Sequence, residues 1–272
     1  IFGVRAVGQV TTLALEGEDG PLASLGLRGV ASDHAGGWYA TTGVSVLHVA
    51  AAGRVRTVAT CEGGFFGLAV STDGSTVFEA DFDTHKIRRV EVATGAVTAI
   101  AGSGGNGDAD GVGDAAQFGE PRGLTISPDG SALYVTDHGN HKIRRVEVAT
   151  GAVTTLAGSG EEGNADGVGG AAQFSYPLGL AISPDGTALF VADYGNDKIR
   201  RVATGAVTTL AGSGANGSVD GVGGAAQFEN PTALAVSADG STLSVCETGR
   251  LRQVCVAAPP RPPSFAPIVV PP

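Results

Sequence analysis

The apolar residues of this chain fall into short runs, many alternating with polar ones, and each run ends at a turn signal. From Pro121 the order is PRGLTISPDG, SALYVTD, HGNHKIRRVEVAT and GAVTTLAG. Alternation of period two, bounded by Gly, Pro, Asn and Asp, is the signature of half-buried strands. Ser127 to Gly130 suits a tight turn: Pro fixes φ, Asp bonds local backbone, and Gly accepts positive φ. The unit therefore predicts four strands, a to d, with a and b joined at that turn, b and c across HGNH, and c and d at the Thr-Gly pair before AVTTLAG.

The unit recurs. GAVTTLAGSG begins at Gly151 and Gly205, GAVTAIAGSG at Gly95, and weaker copies begin at Gly53 and Gly8. Four-stranded antiparallel units repeating at roughly 40–55 residues are how the blades of a propeller read in sequence, so the fold class predicted is all-β. The composite P-x-G-L-x-x-S-P-D-G, L-[YF]-V-x-D and N-x-K-I-R-R-V, from Pro121 to Val146 and again from Pro177 to Val202, resembles the NHL repeat. That resemblance implies an NHL-type β-propeller of four-stranded antiparallel blades. The copy from Phe66 has Thr84 where the others have Asn140 and Asn196, the copy from Pro231 shortens into CETGRLRQV, and the unit near Gly26 replaces the standard turn with GVASDHAGGWYATTG.

The strands sum to four complete sets, a final a-b-c set ending near Val256, and an initial c-d pair in Val4 to Leu15. This inventory closes in two ways. Either Gln9 to Leu15 supplies strand d to the last blade, giving five blades, or Gly3 to Leu15 is half of a sixth blade whose inner strands lie upstream. The resemblance commonly implies six; the strand count favours five. With no Met, and an opening inside a repeat, the chain is expected to be a piece of something longer.

Composition narrows the class. With 272 residues, 44 of them Gly, 42% apolar and 16% charged, the chain suits one all-β domain, expected over residues 1–258. A net charge of −10 repels phosphate backbones, which argues against a nucleic-acid partner. No apolar run approaches the roughly 18 residues of a membrane span.

The longer repeats carry a loop between strand d and the next strand a, such as GSGGNGDADGVGDAAQFGEP. Asp110, Asp166 and Asp220 share one position in it and Phe118, Phe174 and Phe228 another. One carboxylate per loop, with no bidentate Glu to follow, fits a structural backbone-capping Asp better than a calcium turn. The Phe is expected as an anchor between blades, with AAQ as a helical turn leading into it. Adjacent arginines in Lys86–Arg89, Lys142–Arg145 and Lys198–Arg201 break the alternation, so one of each pair is expected between blades, bonded to an acid such as Asp137 or Asp193. RNA-binding relatives implied by the resemblance would instead use such basic strands on phosphate.

No catalytic constellation emerges. The resemblance extends to amidating lyases that hold zinc with channel histidines, but four of His34, His48, His85, His138 and His141 sit in or beside predicted turns, and none has metal-ligand spacing. No metal and no cofactor is expected. Cys61, Cys246 and Cys255 suit one disulfide plus a free thiol in a secreted chain, or three buried thiols. Asn216-Gly217-Ser218 is a glycosylation sequon in a loop. Residues 259–272, PPRPPSFAPIVVPP, are expected as a polyproline-II tail or linker, and their composition resembles green-algal hydroxyproline-rich cell-wall and flagellar-surface glycoproteins.

These features point to a non-enzymatic structural or protein-interaction module of a larger extracellular glycoprotein, such as a cell-wall or mastigoneme-like flagellar-surface assembly. Its partners would be proteins or glycoproteins, including Pro-rich rods, and Trp38, Tyr39, Phe65 and Phe66 in the irregular blades are the candidate contacts. The alternative is an NHL-like lyase or hydrolase, metal-dependent or not, with a site in the central channel.

Overall fold

The computed structural model describes residues 16–17, 20–21, 28–51, 54–60 and 63–256. The Val4 to Leu15 strand pair, Cys61, the side chain of Phe65 and residues 259–272 lie outside the described residues. Five antiparallel blades follow one another along the chain. Blade 1 comprises β3 (Gly29–Ser32), β4 (Trp38–Thr41), β5 (Ser45–Val49) and β6 (Val55–Thr60), with the short β1 (Glu16–Gly17) and β2 (Gly20–Pro21) added outside β6. Blade 2 comprises β7 (Phe65–Val70), β8 (Thr76–Asp81), β9 (Lys86–Glu91) and β10 (Val97–Ala101). Blade 3 opens with β11 (Gly111–Val112) and continues through β12 (Pro121–Ile126), β13 (Ala132–Asp137), β14 (Lys142–Glu147) and β15 (Ala152–Ala157). Blade 4 repeats this as β16 (Gly167–Val168), β17 (Pro177–Ile182), β18 (Leu189–Asp193), β19 (Lys198–Ala203) and β20 (Ala206–Ala211). Blade 5 has β21 (Ala233–Val236), β22 (Thr242–Glu247) and β23 (Arg250–Cys255) among the described residues.

The innermost strands pack side by side, β3 on β7, β7 on β12, β12 on β17 and β17 on β21, and surround a central channel. Such an approach needs a strand without a Cβ at the crossing. At Gly67 a Cβ would sit 2.2 Å from the Arg122 carbonyl, and at Gly123 only 2.1 Å from that of Leu178. The same position in β21 is Ala233.

The hydrophobic core lies between blades rather than inside one. Phe78 and Ile87 of blade 2 pack with Leu133, Val135 and Val146 of blade 3, and comparable clusters join blades 1 and 2, 3 and 4, and 4 and 5. Second strands are therefore covered on both faces, and read as nearly continuous apolar runs such as LFVAD. The turn at Ser127 forms as its residues predict: Gly130 has φ of 74°, its N–H donates to the Ser127 carbonyl at 2.8 Å, and Asp129 accepts from the Ser131 N–H.

One expectation is extended and one needs correction. Blades 3 and 4 have five strands, because Gly111–Val112 and Gly167–Val168 leave the connecting loops to pair with β15 and β20. A Gly-Val dipeptide is too short for periodicity to mark. The helical turn in these loops is a 3-10 turn at Gly113–Ala115 and Gly169–Ala171, which ends on the first Ala of AAQ, and Ala116 already has extended backbone.

Candidate interaction site at the channel mouth

The repeat's charged residues are bound to one another inside the ring. Arg144 and Arg200, the first of each adjacent pair, are wholly buried. Arg144 donates through Nη1 to Asp137 at 2.6 Å and to the Gln117 carbonyl, and through Nη2 to Asp110 at 2.8 Å and the Ala109 carbonyl. Its guanidinium lies 5.2 Å from the centre of the Phe118 ring. Arg200 repeats the arrangement with Asp193, Asp166 and Phe174, and Arg252 bonds Asp220 at 2.6 Å beside Phe228.

Asp110 also accepts from the Thr155 N–H and hydroxyl, and these bonds with Arg144 hold its carboxyl below the ordinary value against the opposing pull of burial. A guanidinium occupies the place a cation would need. Phe118, Phe174 and Phe228 are buried, each within a cluster drawn from two neighbouring blades. A basic strand whose leading arginine is fully buried has little left to offer a phosphate.

A second repeated contact links blade 2 to blade 3, blade 3 to blade 4 and blade 4 to blade 5, and has no signal in composition. Glu120, Tyr176 and Asn230 each precede a Pro and each adopt φ near 50°, a strained region for such residues. Their N–H groups donate to His85 Nδ1 at 3.2 Å, His141 Nδ1 at 3.1 Å and Asp197 Oδ1 at 2.7 Å. His85, His141 and Asp197 end the turns between second and third strands and also have positive φ. Two of the five histidines thus serve as acceptors in blade-to-blade latches.

The residue ahead of the strand-a glycine behaves differently. It is Arg28, Phe66, Arg122, Leu178 and Thr232 in successive blades, and all five line one end of the channel. Below them lies an apolar cavity of about 370 Å³ walled by residues that include Leu68, Leu124, Leu180 and Leu234. Phe66 meets Phe82 edge-on, with ring centres 6.2 Å apart. Arg122 lies 5.3 Å from the Phe66 centroid and 5.6 Å from that of Phe82, while Arg28 approaches Phe82 from 5.5 Å. The result is an alternating array of cations and rings, with Glu120 bonded to Arg122 at 3.1 Å.

On the other side of the mouth His138 donates through Nδ1 to the Pro177 carbonyl at 3.2 Å and faces the half-exposed Tyr176 ring. Burial, helped by the charge of Arg122, pushes His138 down to about 4, so its imidazole is neutral at physiological pH.

The other candidate residues scatter. Tyr39 is only 3% exposed and stacks on His48, which corrects its place among the contacts: its ring belongs to the core between blades 1 and 2. Trp38 is partly exposed but pairs with Ser32 at the end of blade 1 away from Gly29, and hence away from Phe66. Asn216 is exposed, its amide donating to Asp197 at 3.2 Å. Cys246 and Cys255 are free and exposed, opposite Leu251 and Thr242 rather than each other. Among the described residues no group of three His, Cys, Asp or Glu could hold a metal, and no helix is long and apolar enough to cross a membrane.

A ring of blades around a channel defines a β-propeller, and its repeats resemble the NHL type. No protein-family model matches the chain. Half of it, 144 residues, is 38% identical to Protein SUPPRESSOR OF QUENCHING 1, chloroplastic, of Arabidopsis thaliana, and 49% of it is 35% identical to human NHL repeat-containing protein 2. The matches span only 14% and 20% of those relatives' lengths. Among solved structures, an auxiliary nutrient binding protein of Bacteroides ovatus aligns over 84% of this chain and 58% of its own with a TM-score of 0.68 at 20% identity. A chain of the nidogen/laminin complex aligns over 84% and 75% with a TM-score of 0.62 at 18% identity. These two likenesses concern the fold alone.

Proposed function

We propose that this propeller is a non-enzymatic protein-interaction module whose docking surface is the channel mouth. The observation that carries the reading is the contrast between a repeat held nearly constant for building blades and five equivalent mouth positions occupied by Arg28, Phe66, Arg122, Leu178 and Thr232. Rigid scaffolds that present varied residues on one rim are suited to partner recognition. The chemistry favours a partner segment that carries a carboxylate for the arginines beside an apolar side chain for the channel. A channel lyase or hydrolase is not favoured by a described lining that is mostly Gly, Leu, Ala and Val, whose polar members, Arg28, Arg122, Thr232, Ser244 and Cys246, include no histidine or carboxylate.

The extracellular glycoprotein assignment rests on the exposed Asn216 sequon and the Pro-rich 259–272 tail, with Pro-rich rods among the partners that tail chemistry would suit. Glycopeptide mass spectrometry that found Asn216 and those prolines unmodified would remove it.

The docking surface is tested by photo-crosslinking within the native assembly, with a benzophenone side chain at Phe66 and a control at the exposed Gly170. Phe66 should yield a crosslink to a second protein that disappears in Arg28→Ala/Arg122→Ala while the variant stays folded. Equal labelling from both positions would overturn the reading.

A further inference from the structure

At the channel mouth, positive charge borders directly on apolar wall. Two guanidiniums, of Arg28 and Arg122, are among the residues that line the cavity, and no carboxylate is. Arg122 bonds Glu120 through Nη2, but its Nε is buried with no hydrogen-bond partner. Arg28 enters no ion pair among the described residues; its guanidinium faces the Phe82 ring. Val30 and Leu251, each 69% exposed, line the same cavity, and large apolar side chains left open to solvent at a cavity wall mark a place for an apolar group. The two ends of the channel differ. The strands β7, β12, β17 and β21 run from the mouth to turns that hold Asp73, Asp129, Asp185 and Asp239, so the far rim is acidic and repels an anion.

We propose that the mouth binds the C-terminal residue of a partner chain, with its α-carboxylate on Arg28 and Arg122 and a large apolar side chain in the cavity beneath. This rests on the reading of the mouth as a docking surface and names the part of the partner that enters it. Because the arginines and the apolar walls line one cavity, the anion and the apolar group must lie close together. In an extended internal segment adjacent side chains point to opposite faces, and residues on the same face stand about 7 Å apart. An acidic residue that meets the arginines therefore turns its apolar neighbours away from the channel. A chain terminus carries its carboxylate and its side chain on one Cα, and so reaches both features at once. The rings of Phe66 and Phe82 hold the guanidiniums in position beforehand, which lowers the cost of ordering them around the anion.

Fluorescence anisotropy of a fluorescein-labelled pentapeptide ending in leucine tests this on the full chain. The free acid should bind. Its C-terminal amide, and a free acid ending in serine, should each bind about 10- to 100-fold more weakly, for loss of a charge-assisted hydrogen bond or of a buried apolar side chain. Arg28→Gln/Arg122→Gln should erase the difference between acid and amide in a variant whose circular dichroism matches the parent. Equal binding of acid and amide, or no binding of the acid, would overturn the proposal, and binding of decanoate in its place would give the cavity to a lipid. A Phe66 crosslink that maps to internal residues of the partner would also overturn it, yet leave the docking surface standing. Absence of any Phe66 crosslink would remove the docking surface and this proposal with it.

Discussion

Blades 3 and 4 receive a long loop from the preceding blade, while blade 2 is reached through residues 61–64 alone, and the two cases treat the same Asp–Arg motif differently. In blade 3 the guanidinium of Arg144 joins Asp137 to three groups of the loop, and Phe118 closes the junction. In blade 2 Arg88 bonds Asp81 at 2.7 Å and the Thr84 hydroxyl at 3.2 Å, with no Phe anchor ahead of it. The long loop makes Arg144 the centre of a junction between blades.

The largest effect should come from cutting the motif on each side of this contrast. Arg144→Ala strands the buried Asp137 carboxylate and releases the loop, at a cost of about 3–5 kcal/mol in urea unfolding. Arg88→Ala likewise strands a buried carboxylate, that of Asp81, and only the blade 3 variant should open the segment between Gly102 and Phe118 to limited proteolysis. Absence of new cleavage in Arg144→Ala would mean that the loop holds itself in place.

Blade 2 carries a second difference. Glu79 occupies the register position held by Val135, Val191 and Val245 in other blades, opposite Leu68 as they are opposite Leu124, Leu180 and Leu234. It is buried and neither carboxyl oxygen has a hydrogen-bond partner. Burial, opposed by Arg88 and assisted by Asp81, pushes it up to about 8 from 4.5. The folded state therefore keeps a proton that the unfolded chain releases first. The pH-dependent part of the cost of Glu79 should be absent below the unfolded value near 4.5, grow as pH rises, and be complete above about 8. Glu79→Val should stabilise the protein by about 1–4 kcal/mol at pH 7.5 and flatten that slope. A slope unchanged in the variant would assign it to another group.

Most of the blade architecture was legible because strand alternation, turn chemistry and repetition all agree from Pro121 to Val202. The pairing of one arginine with Asp137 or Asp193 could be expected for the same reason: two adjacent cations cannot both point outward from a strand. The latches at Glu120, Tyr176 and Asn230 could not be read, since a residue before Pro ordinarily favours extended backbone, and only the packed ring holds these three in the left-handed region. The mouth was hidden for a related reason. Arg28, Phe66, Arg122, Leu178 and Thr232 look like noise in an alignment of repeats until the ring brings them to one end of a channel. Tyr39 shows the converse, an aromatic in an irregular blade that proves to be core.

The smallest effect tests the comparison most narrowly, by exchanging one residue between its two sides. Asn140 donates to Asp137 at 2.9 Å and also reaches the Gly107 carbonyl of the incoming loop at 2.7 Å. Thr84, its counterpart in blade 2, bonds Asp81 at 2.6 Å through a hydroxyl too short to reach farther, and there is no long loop for it to meet. The residue type thus follows the loop. Asn140→Thr should keep the bond to the aspartate, lose the one to the loop and cost about 1 kcal/mol, the net worth of one hydrogen bond. Thr84→Asn gains an amide with no carbonyl to receive it, and thermal unfolding should place its stability at or below that of the parent. If Thr84→Asn stabilised blade 2 while Asn140→Thr left blade 3 unchanged, the Asn would be serving the turn itself, and the loop would have no part in the choice.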